Sequence, residues 1–541
     1  METYTNLNIQ EIPLSSPYFH AKVERFLSGN GLRMEALDSY YTIQNSQGDI
    51  LAGAGLYRDI IKGVAVSEAA RSEGLAAPLL SHLLAQAAAA GITCLKVFTK
   101  PENQAVFESL GFHELATSPQ AILMENGRGL EQYCTYLRSL PRKGRCGVVV
   151  MNANPFTLGH RYLLQEASAQ VDTLFVVPVK EDLSAFPYKE RLQMIREGAP
   201  EGCIVADGSE YQISAATFPT YFLKDLSDAS EMQMRLDLDL FARHIAPALD
   251  AQVRFVGTEP ADKLTARYNA LMKEVLPQVV EIPRLEQDGA VVSASAVRKA
   301  LDGGSFCAAA VLTPESTWPY LRAHLAQRAL QAELDLPLKP GLVGPDSNGA
   351  HKDMDYALMQ RSIRALRPFW SRIALAQSAG ELKELGMEAE KAMMEATGGV
   401  NTHRGAIFSL GLALNACADS ARMADLAAQI CGDNRSAGAR AIALGGYREL
   451  FEDWLPYYSE TRDARGTLLR IISTLDDTCV LHRAGTERAQ QVRREAAALV
   501  SGQADNTQLQ QLCERYAAEG ISPGGAADML ALTILTYSLF N

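Results

Sequence analysis

The chain is short of the features that would place it in a membrane, outside the cell or on nucleic acid. No run of roughly 18 or more apolar residues exists, so no membrane-spanning helix is expected. The opening stretch METYTNLNIQEIPLSSPYF is acidic and polar and has no apolar core of the kind a secretory leader needs. Its 9 cysteines are scattered singly, with no C-x-x-C pair. An odd, unclustered set reads as reduced thiols in the cytoplasm, not as a disulfide framework or a zinc site. There is no excess of positive charge either: 51 Lys and Arg stand against 63 Asp and Glu, a formal net charge of −12. That balance argues against nonspecific nucleic-acid binding and against an anionic membrane surface as partner. What the chain has in quantity is length and apolar content. Its 541 residues are too many for one core, and 47% hydrophobic residues suffice for the two to four domains that length predicts.

The most informative stretch is CGVVVMNANPFTLGHRYLLQEA, Cys146 to Ala167. Cys146 to Met151 is a short β-branched apolar run and reads as a buried strand. Asn152, Asn154 and Pro155 punctuate a turn. A helical pattern starts at His160 and continues through Tyr162, Leu163, Leu164 and Ala167. Strand, tight turn and helix N-terminus make a place for phosphate, because the first amide N–H groups of a helix are unpaired and the helix dipole favours negative charge there. Gly159 lets the backbone approach a ligand closely. His160 can donate to a phosphoryl oxygen and stabilise charge that builds at an α-phosphate under attack.

The string Thr157-Leu158-Gly159-His160 resembles the (H/T)-x-G-H motif of the nucleotidyltransferase superfamily. Val292-Ser293-Ala294-Ser295-Ala296-Val297-Arg298 resembles the second motif of that superfamily, I-S-x-S-x-x-R, in the right order. The longer strings NPFTLGHRYL and VSASAVRKAL resemble one member family, [citrate (pro-3S)-lyase] ligase, which acetylates citrate lyase with ATP and acetate. Between the motifs, TLFVVPV (Thr173 to Val179), Val253 to Gly257 and Val279 to Ile282 read as strands. Helical patterns cover Lys189 to Glu197 and Lys263 to Val275. The alternation predicts a Rossmann-like α/β domain over residues 143–325, with ligand at the strand carboxyl ends. Lys180, after the second strand, is placed to reach a β- or γ-phosphate, or is a solvated surface cation like Arg191. Gly257-Thr258-Glu259-Pro260 offers backbone groups to adenine or ribose. By the same resemblance, Asn154, Phe156, Thr157 and Gly159 would fall in an ATP-binding turn. Ser293 and Ser295 cap the helix whose Arg298 can clamp phosphates in a bidentate fork.

Residues 1–142 read as a separate unit. Tyr40 to Ile43, Ile50 to Leu56 and Ile60 to Val66 are short strands in a meander. A helix with Leu79, Leu80, Leu83, Leu84 and Ala87 on one face follows, then a strand over Cys94 to Thr99 and a helix over Asn103 to Leu110. This order resembles the GNAT acyltransferase fold, α+β, and Arg71-Ser72-Glu73-Gly74-Leu75-Ala76 matches its pyrophosphate motif R/Q-x-x-G-x-G/A. The resemblance implies a CoA-shaped groove bounded by Arg71, Gly74 and Ala76. Two readings stay open: a scaffold that has lost acyl transfer, or a holder of a carrier protein's phosphopantetheine-like arm. No residue in it stands out as a catalytic base.

The strand signal fades after about residue 315, and residues 326–541 read as an all-α domain. Four polar, glycine-containing islands interrupt the helices: Lys339 to Ser362, Glu395 to Leu412, Leu475 to Gly485 and Ile521 to Leu532. They carry Asp346, His351, Asp353, Asp355, Glu395, His403, Asp476, Asp477 and Asp528 beside glycines. Clustered carboxylates suit Mg²⁺ on a nucleoside triphosphate, with Asp353, Asp355, Asp476 and Asp477 as ligand candidates. Lys339, Gly398, Gly399, His403, Arg404, Arg483, Gly524 and Gly525 are the phosphate-contact candidates. The islands resemble triphosphoribosyl-dephospho-CoA synthase, which joins ATP to dephospho-CoA and releases adenine. Four positions depart from its pattern: Arg404 stands where Lys is expected, Cys479 for Asn, Ala484 for Gly and Ala526 for Ser.

The two resemblances together imply a bifunctional enzyme of citrate lyase maturation, using ATP, Mg²⁺, acetate and dephospho-CoA, with the acyl carrier subunit of citrate lyase and its prosthetic group as partner. Acetyl-AMP would form with His160 and Lys180 stabilising charge and Arg298 holding phosphates, and the prosthetic-group thiol would then attack it. For the second reaction the residues leave Glu395, Asp477 and Asp528 unranked as general base. Alternatives are a plain adenylyltransferase, a carrier-binding scaffold with inactive sites, and prosthetic-group synthesis for malonate decarboxylase.

Overall fold

The computed structural model describes residues 8–181, 184–212, 229–259, 263–432, 438–501 and 505–541. Pro260, read above as part of the adenine-side loop, lies outside them. By packing, the chain divides into two compact units: Met1–Asn154 with Gly159–Val291, and Pro155–Leu158 with Val292–Asn541. The boundaries expected at residues 142 and 325 therefore fall inside these units.

Among the described residues the first unit contains two large sheets and a two-stranded pair, Glu286–Gln287 with Ala290–Val291. One has seven strands in the order β1-β2-β3-β4-β5-β7-β6, with β1 Ile9–Glu11, β2 Ser39–Gln44, β3 Ile50–Tyr57, β4 Ile60–Val66, β5 Leu95–Thr99, β6 His113–Thr117 and β7 Ile122–Asn126. All neighbours are antiparallel except β4 and β5, which pair only at Ile60–Lys96 and Ile61–Val97 and then part. The expected meander is present; the edge strands β1 and β6 and the inner strand β7 are short, and sequence periodicity gave no sign of them. The Ala76–Ala89 helix covers this sheet with Leu79, Leu80, Leu83 and Ala87 buried.

The other sheet is all parallel, in the order β10-β9-β8-β11-β12, with β8 Cys146–Met151, β9 Thr173–Pro178, β10 Cys203–Val205, β11 Ala251–Gly257 and β12 Val279–Ile282. The chain starts in the middle, winds outward through β9 and β10, and returns to the other side through β11 and β12. β9 is buried along its whole length, as a parallel strand with both faces covered must be. Phe98, Leu123, Leu130 and Leu137 share one core with Val148, Phe175, Val177 and Leu236. This common core is why the two sheets pack as one unit. Each such fully buried Leu or Phe contributes about 1.5–3 kcal/mol of transfer free energy.

The second unit is helical. Its last helix, Gly524–Phe540, is buried nearly all round, from Met529 to Leu539, as a helix at the centre of a bundle is. The Trp318–Leu334 and Arg404–Ala416 helices pack against it. Thr317 donates to the carbonyl of Phe156 (3.1 Å) and Leu158 N–H to that of Leu312 (3.0 Å), which ties residues 155–158 to this unit. Among the described residues no helix is long and apolar enough to cross a membrane.

Candidate active sites

In the parallel sheet the strand order reverses between β8 and β11, and the crevice beyond their carboxyl ends is where such sheets bind ligands. The Leu158–Ser168 helix opens there, two residues earlier than the sequence pattern suggested. Arg191 organises the turn. It is fully buried, so its reading as a surface cation is corrected. Its guanidinium donates to the carbonyls of Asn152 (2.7 Å), Val179 (2.9 Å), Glu181 (2.5 Å) and Phe186 (3.0 Å), binding the loop after β8 to the loop after β9. Asn154 Oδ1 accepts from Phe186 N–H at 3.1 Å, and Ala153 is held at φ 48°.

His160 lies in the first turn of that helix. Its basicity is pushed down to about 4, first by burial and then by the Arg284 guanidinium. The imidazole is therefore neutral near pH 7 and acts as an uncharged donor or acceptor. Arg284 was missed by the sequence reading. It donates to the Thr258 carbonyl (2.8 Å) and pairs with Glu259, so it joins the loops after β11 and β12. The available signal was its position two residues past the β12 end, the rule that singled out Lys180. Gly257 accepts from Asn269 at 3.0 Å. Lys180 is 43% exposed and its Nζ lies 3.4 Å from Glu210, which also meets Lys96 at 3.4 Å. Burial opposes ionisation of Glu210, but Lys96 and Lys180 outweigh it and hold that carboxyl below the usual range.

The remaining motif residues of this half belong to the second unit. Phe156 and Thr157 are buried. Ser293 caps the Ala294–Asp302 helix, accepting from Ala296 N–H at 3.1 Å, and meets Ser295 Oγ at 3.0 Å. Arg298 is half-buried on that helix. In the seven-stranded sheet, Arg71 sits in a short turn of 3-10 helix, Gly74 takes φ +66° and Ala76 opens the next helix. That positive φ is the reason for glycine at position 74.

The helical unit holds a cavity of about 950 Å³, the size of a nucleotide-class site. Helical segments that start on its wall include Arg404–Ala416, the segment from Thr478, which breaks at Gly485 (φ +78°), and Gly524–Phe540. Their N-termini direct partial positive charge at one space. Acidic side chains brace them. Asp477 accepts from Cys479 N–H (2.8 Å), Val480 N–H (3.4 Å) and Ala526 N–H (3.0 Å), so one carboxylate caps two helices. Asp528, from the third helix, accepts the backbone N–H of Ala406 in the first. Gly405 stands where a Cβ would collide with the Asp528 carboxyl. Burial raises the basicity of both acids, and for Asp528 the charges of Glu333 and Asp477 raise it further.

His403 is 3% exposed. Its Nδ1 meets Ser362 Oγ at 2.7 Å, and Ser362 accepts from Thr402 Oγ1 at 2.7 Å. In that chain Ser362 donates to Nδ1, so Nε2 carries the proton; Nε2 is buried with no hydrogen-bond partner among the described residues. Burial, then Lys339, push its basicity down to about 4. His351 is also lowered, by burial and then Arg483, and bonds Ser522 at 2.8 Å.

The cavity wall includes Asp353, Asp476, Asp477, His403, Arg404, Arg483, Gly524, Gly525 and Asp528 from the predicted set. It does not include Lys339, Asp355, Glu395, Gly398 or Gly399. Lys339 is buried against Glu333, Nζ to Oε1 2.5 Å, and is not presented to phosphate. Glu333 itself is on the wall, and no island contained it. Asp355 is spent as a helix cap, accepting from Leu358 N–H at 2.7 Å. Glu395 is 70% exposed, because the Ala379–Ala396 helix buries Leu382, Leu385, Ala389 and Met393 on the opposite face. Asp476 pairs with Arg493. Among the described residues no group of three or more His, Cys, Asp or Glu side chains is arranged to hold a metal. Of the departures, Arg404 pairs with Glu390, Cys479 lines the wall, and the contact of Ala526 with Asp477 uses its backbone alone.

A switch-point crevice with a neutral histidine at a helix start, and a helical cavity ringed by three helix N-termini, define a two-site enzyme of nucleotide chemistry. Family models match in the same places. The citrate lyase ligase C-terminal domain matches residues 146–321, the ATP:dephospho-CoA triphosphoribosyl transferase family residues 320–442 and 421–541, and the GNAT acetyltransferase family residues 13–112. The [citrate [pro-3S]-lyase] ligase of Klebsiella pneumoniae is 39% identical over 55% of this chain and 91% of its own length. That of Escherichia coli K12 is 40% identical over 56% of this chain and 90% of its own. The 2-(5''-triphosphoribosyl)-3'-dephosphocoenzyme-A synthase of Klebsiella pneumoniae is 38% identical over 39% of this chain and 92% of its own length. The chain belongs to the citrate lyase ligase family in its N-terminal part and to the triphosphoribosyl-dephospho-CoA synthase family in its C-terminal part.

Proposed function

We propose that the N-terminal half activates acetate with ATP and passes the acetyl group to the prosthetic-group thiol of the citrate lyase acyl carrier subunit. The observation that carries this reading is His160, neutral at a helix start in the switch-point crevice beside Arg284. Acetate oxygen attacks the α-phosphorus of ATP, pyrophosphate leaves, and acetyl-AMP forms. His160 donates to the phosphoryl oxygen that gains charge, and Lys180 takes a β- or γ-phosphate oxygen. Gly159, Gly257 and Thr258 supply backbone contacts; Thr157, Ser293, Ser295 and Arg298, in the second unit, are candidates by their motifs. The carrier thiol then attacks the acetyl carbon, giving thioester and AMP. The groove bounded by Arg71, Gly74 and Ala76 holds the carrier's CoA-like arm. Radiolabelled acetate and ATP with deacetylated citrate lyase test this. AMP and labelled carrier protein are expected; a dinucleotide product would instead mean an adenylyltransferase.

In the C-terminal half, the ribose 2′-hydroxyl of dephospho-CoA displaces adenine from C1′ of ATP. The cavity's three helix starts carry this reading, with Arg404, Arg483 and the Nε2 proton of His403 receiving the triphosphate. Asp477 takes the hydroxyl proton. Asp353 and Asp476 offer oxygen ligands at the wall that fit Mg²⁺, which when bound with ATP neutralises phosphate charge. Leu330, Leu342, Met354, Met359, Leu382 and Phe408 give the wall an apolar stretch for the pantetheine arm. Chromatography of reactions with ATP, Mg²⁺ and dephospho-CoA is expected to show free adenine and a triphosphoribosylated product.

A further inference from the structure

His403 stands at the N-cap of the Arg404–Ala416 helix, yet its side chain makes no capping bond. It is turned into the protein instead, and three helices hold it. In its own helix, Ile407 N–H donates to its carbonyl at 2.8 Å. Met393, from the Ala379–Ala396 helix, accepts its backbone N–H at Sδ (3.2 Å). Ser362, from the Tyr356–Leu375 helix, meets its ring nitrogen Nδ1 at 2.7 Å. Ser362 is fully buried and is not on the cavity wall, whereas Thr402 and His403 are.

The order of protons follows from the next bond in the chain. The Thr402 hydroxyl donates to Ser362 Oγ at 2.7 Å, so Ser362 gives its own proton to Nδ1. A neutral imidazole that accepts at Nδ1 carries its proton at Nε2. That N–H is buried and has no hydrogen-bond partner among the described residues. A buried donor without an acceptor is costly, which favours a ligand oxygen there. The ring's one basic lone pair, at Nδ1, is held by Ser362, so the ring is unfit to take a proton from a ligand.

We propose that Ser362 is a positioning residue: it fixes His403 as the Nε2–H tautomer, which makes the ring a neutral donor to a triphosphate oxygen of ATP and not a base. The inference rests on the triphosphoribosyl-transfer reading of this cavity. The triphosphate keeps its charge while C1′ changes partner. The bond from Nε2 is therefore as strong in the ground state as in the transition state, and its loss appears in KM for ATP while kcat is unchanged.

The test measures adenine release by the full chain across ATP concentrations. Glutamine places an amide N–H near the Nε2 position, and asparagine places one near Nδ1. His403→Asn should raise KM for ATP about 10–10²-fold and His403→Gln by no more than about threefold, both at the wild-type kcat. Ser362→Ala should raise KM about 3–10-fold in the wild-type background and add nothing to His403→Gln, which has no tautomer to fix. Nitrogen-15 NMR of the histidine-labelled wild-type chain should show the His403 proton on Nε2, with its signals identified by their loss in His403→Gln. A proton on Nδ1 overturns the proposal without any active variant. So does a kcat loss of about 10²-fold or more in both His403 variants, the mark of a base. Equal KM values for the two His403 variants, or a Ser362→Ala effect that is absent or the same in both backgrounds, also overturn it. No adenine release by the wild-type chain would overturn the triphosphoribosyl-transfer reading itself; the other outcomes remove only this inference.

Discussion

On the proposed reading both halves of this chain hold a triphosphate, and they arrange the backbone around it with residues of opposite charge. The α/β half presents cations after strand ends: Lys180 beyond β9 and Arg284 beyond β12, with His160 kept neutral. The helical half sets acids such as Glu333, Asp477 and Asp528 among the cations Arg404, Arg440 and Arg483 on its cavity wall, and helix starts add partial positive charge. In the first half the backbone is arranged by a buried arginine that collects carbonyls. In the second it is arranged by Asp477, a buried aspartate that collects N–H groups. Strand ends expose carbonyls and helix starts expose amides, so each architecture selects the sign of the residue that ties it together.

The strongest way to break this comparison is to remove Asp477. Asp477→Ala leaves three N–H groups at two helix starts without their acceptor and should cost the helical unit about 3–5 kcal/mol, with adenine release abolished. Urea unfolding followed by circular dichroism checks it, and an unchanged midpoint would sink the bracing role. On the cationic side, His160→Ala should lower AMP formation about 10²–10³-fold. The helical unit's melting temperature should not change, since His160 lies in the other unit.

Acid should separate the histidines from the carboxylates. His403 has a folded value of about 4 against about 6.5 for an ordinary histidine. The unfolded chain therefore binds the extra proton between those values, and stability is full above about pH 6.5 and falls as pH drops toward 4, by up to about 1.4 kcal/mol per unit. Chemical denaturation at pH 7, 6 and 5 should show this slope, and His403→Gln should flatten it. Gly405→Ala sharpens the point about Asp528: a methyl against that carboxyl should cost about 1–3 kcal/mol in the same denaturation experiment. The smallest effect is expected at Glu210→Gln. Its ion pairs with Lys96 and Lys180 are longer and half-open, so stability should shift by under about 1 kcal/mol.

Much of the fold was readable because long apolar runs and glycine turns are local signals. The spans Lys263–Val275 and Val279–Ile282 match the structure residue for residue. Short edge strands such as β1 and β6 carry too few residues to show a period. The placement of candidate residues was legible where they follow an element end, as at His160, Asp477 and Gly524, which stand at helix starts. It was misread where a polar residue's neighbour decided its role. Lys339 and Glu395 both stand in glycine-rich islands, yet one is buried against Glu333 and the other faces solvent.

Sequence alone determined the order of the longer strands and helices, the two helix starts that carry the nucleotidyltransferase-like motifs, and the all-helical character of the rest, since these depend on residues close together in the chain. Only tertiary structure decided which charges meet. Glu333 and Asp528 lie far apart in sequence, as do Arg284 and His160, yet Glu333 raises the proton affinity of Asp528 and Arg284 lowers that of His160 because folding brings them together away from bulk water.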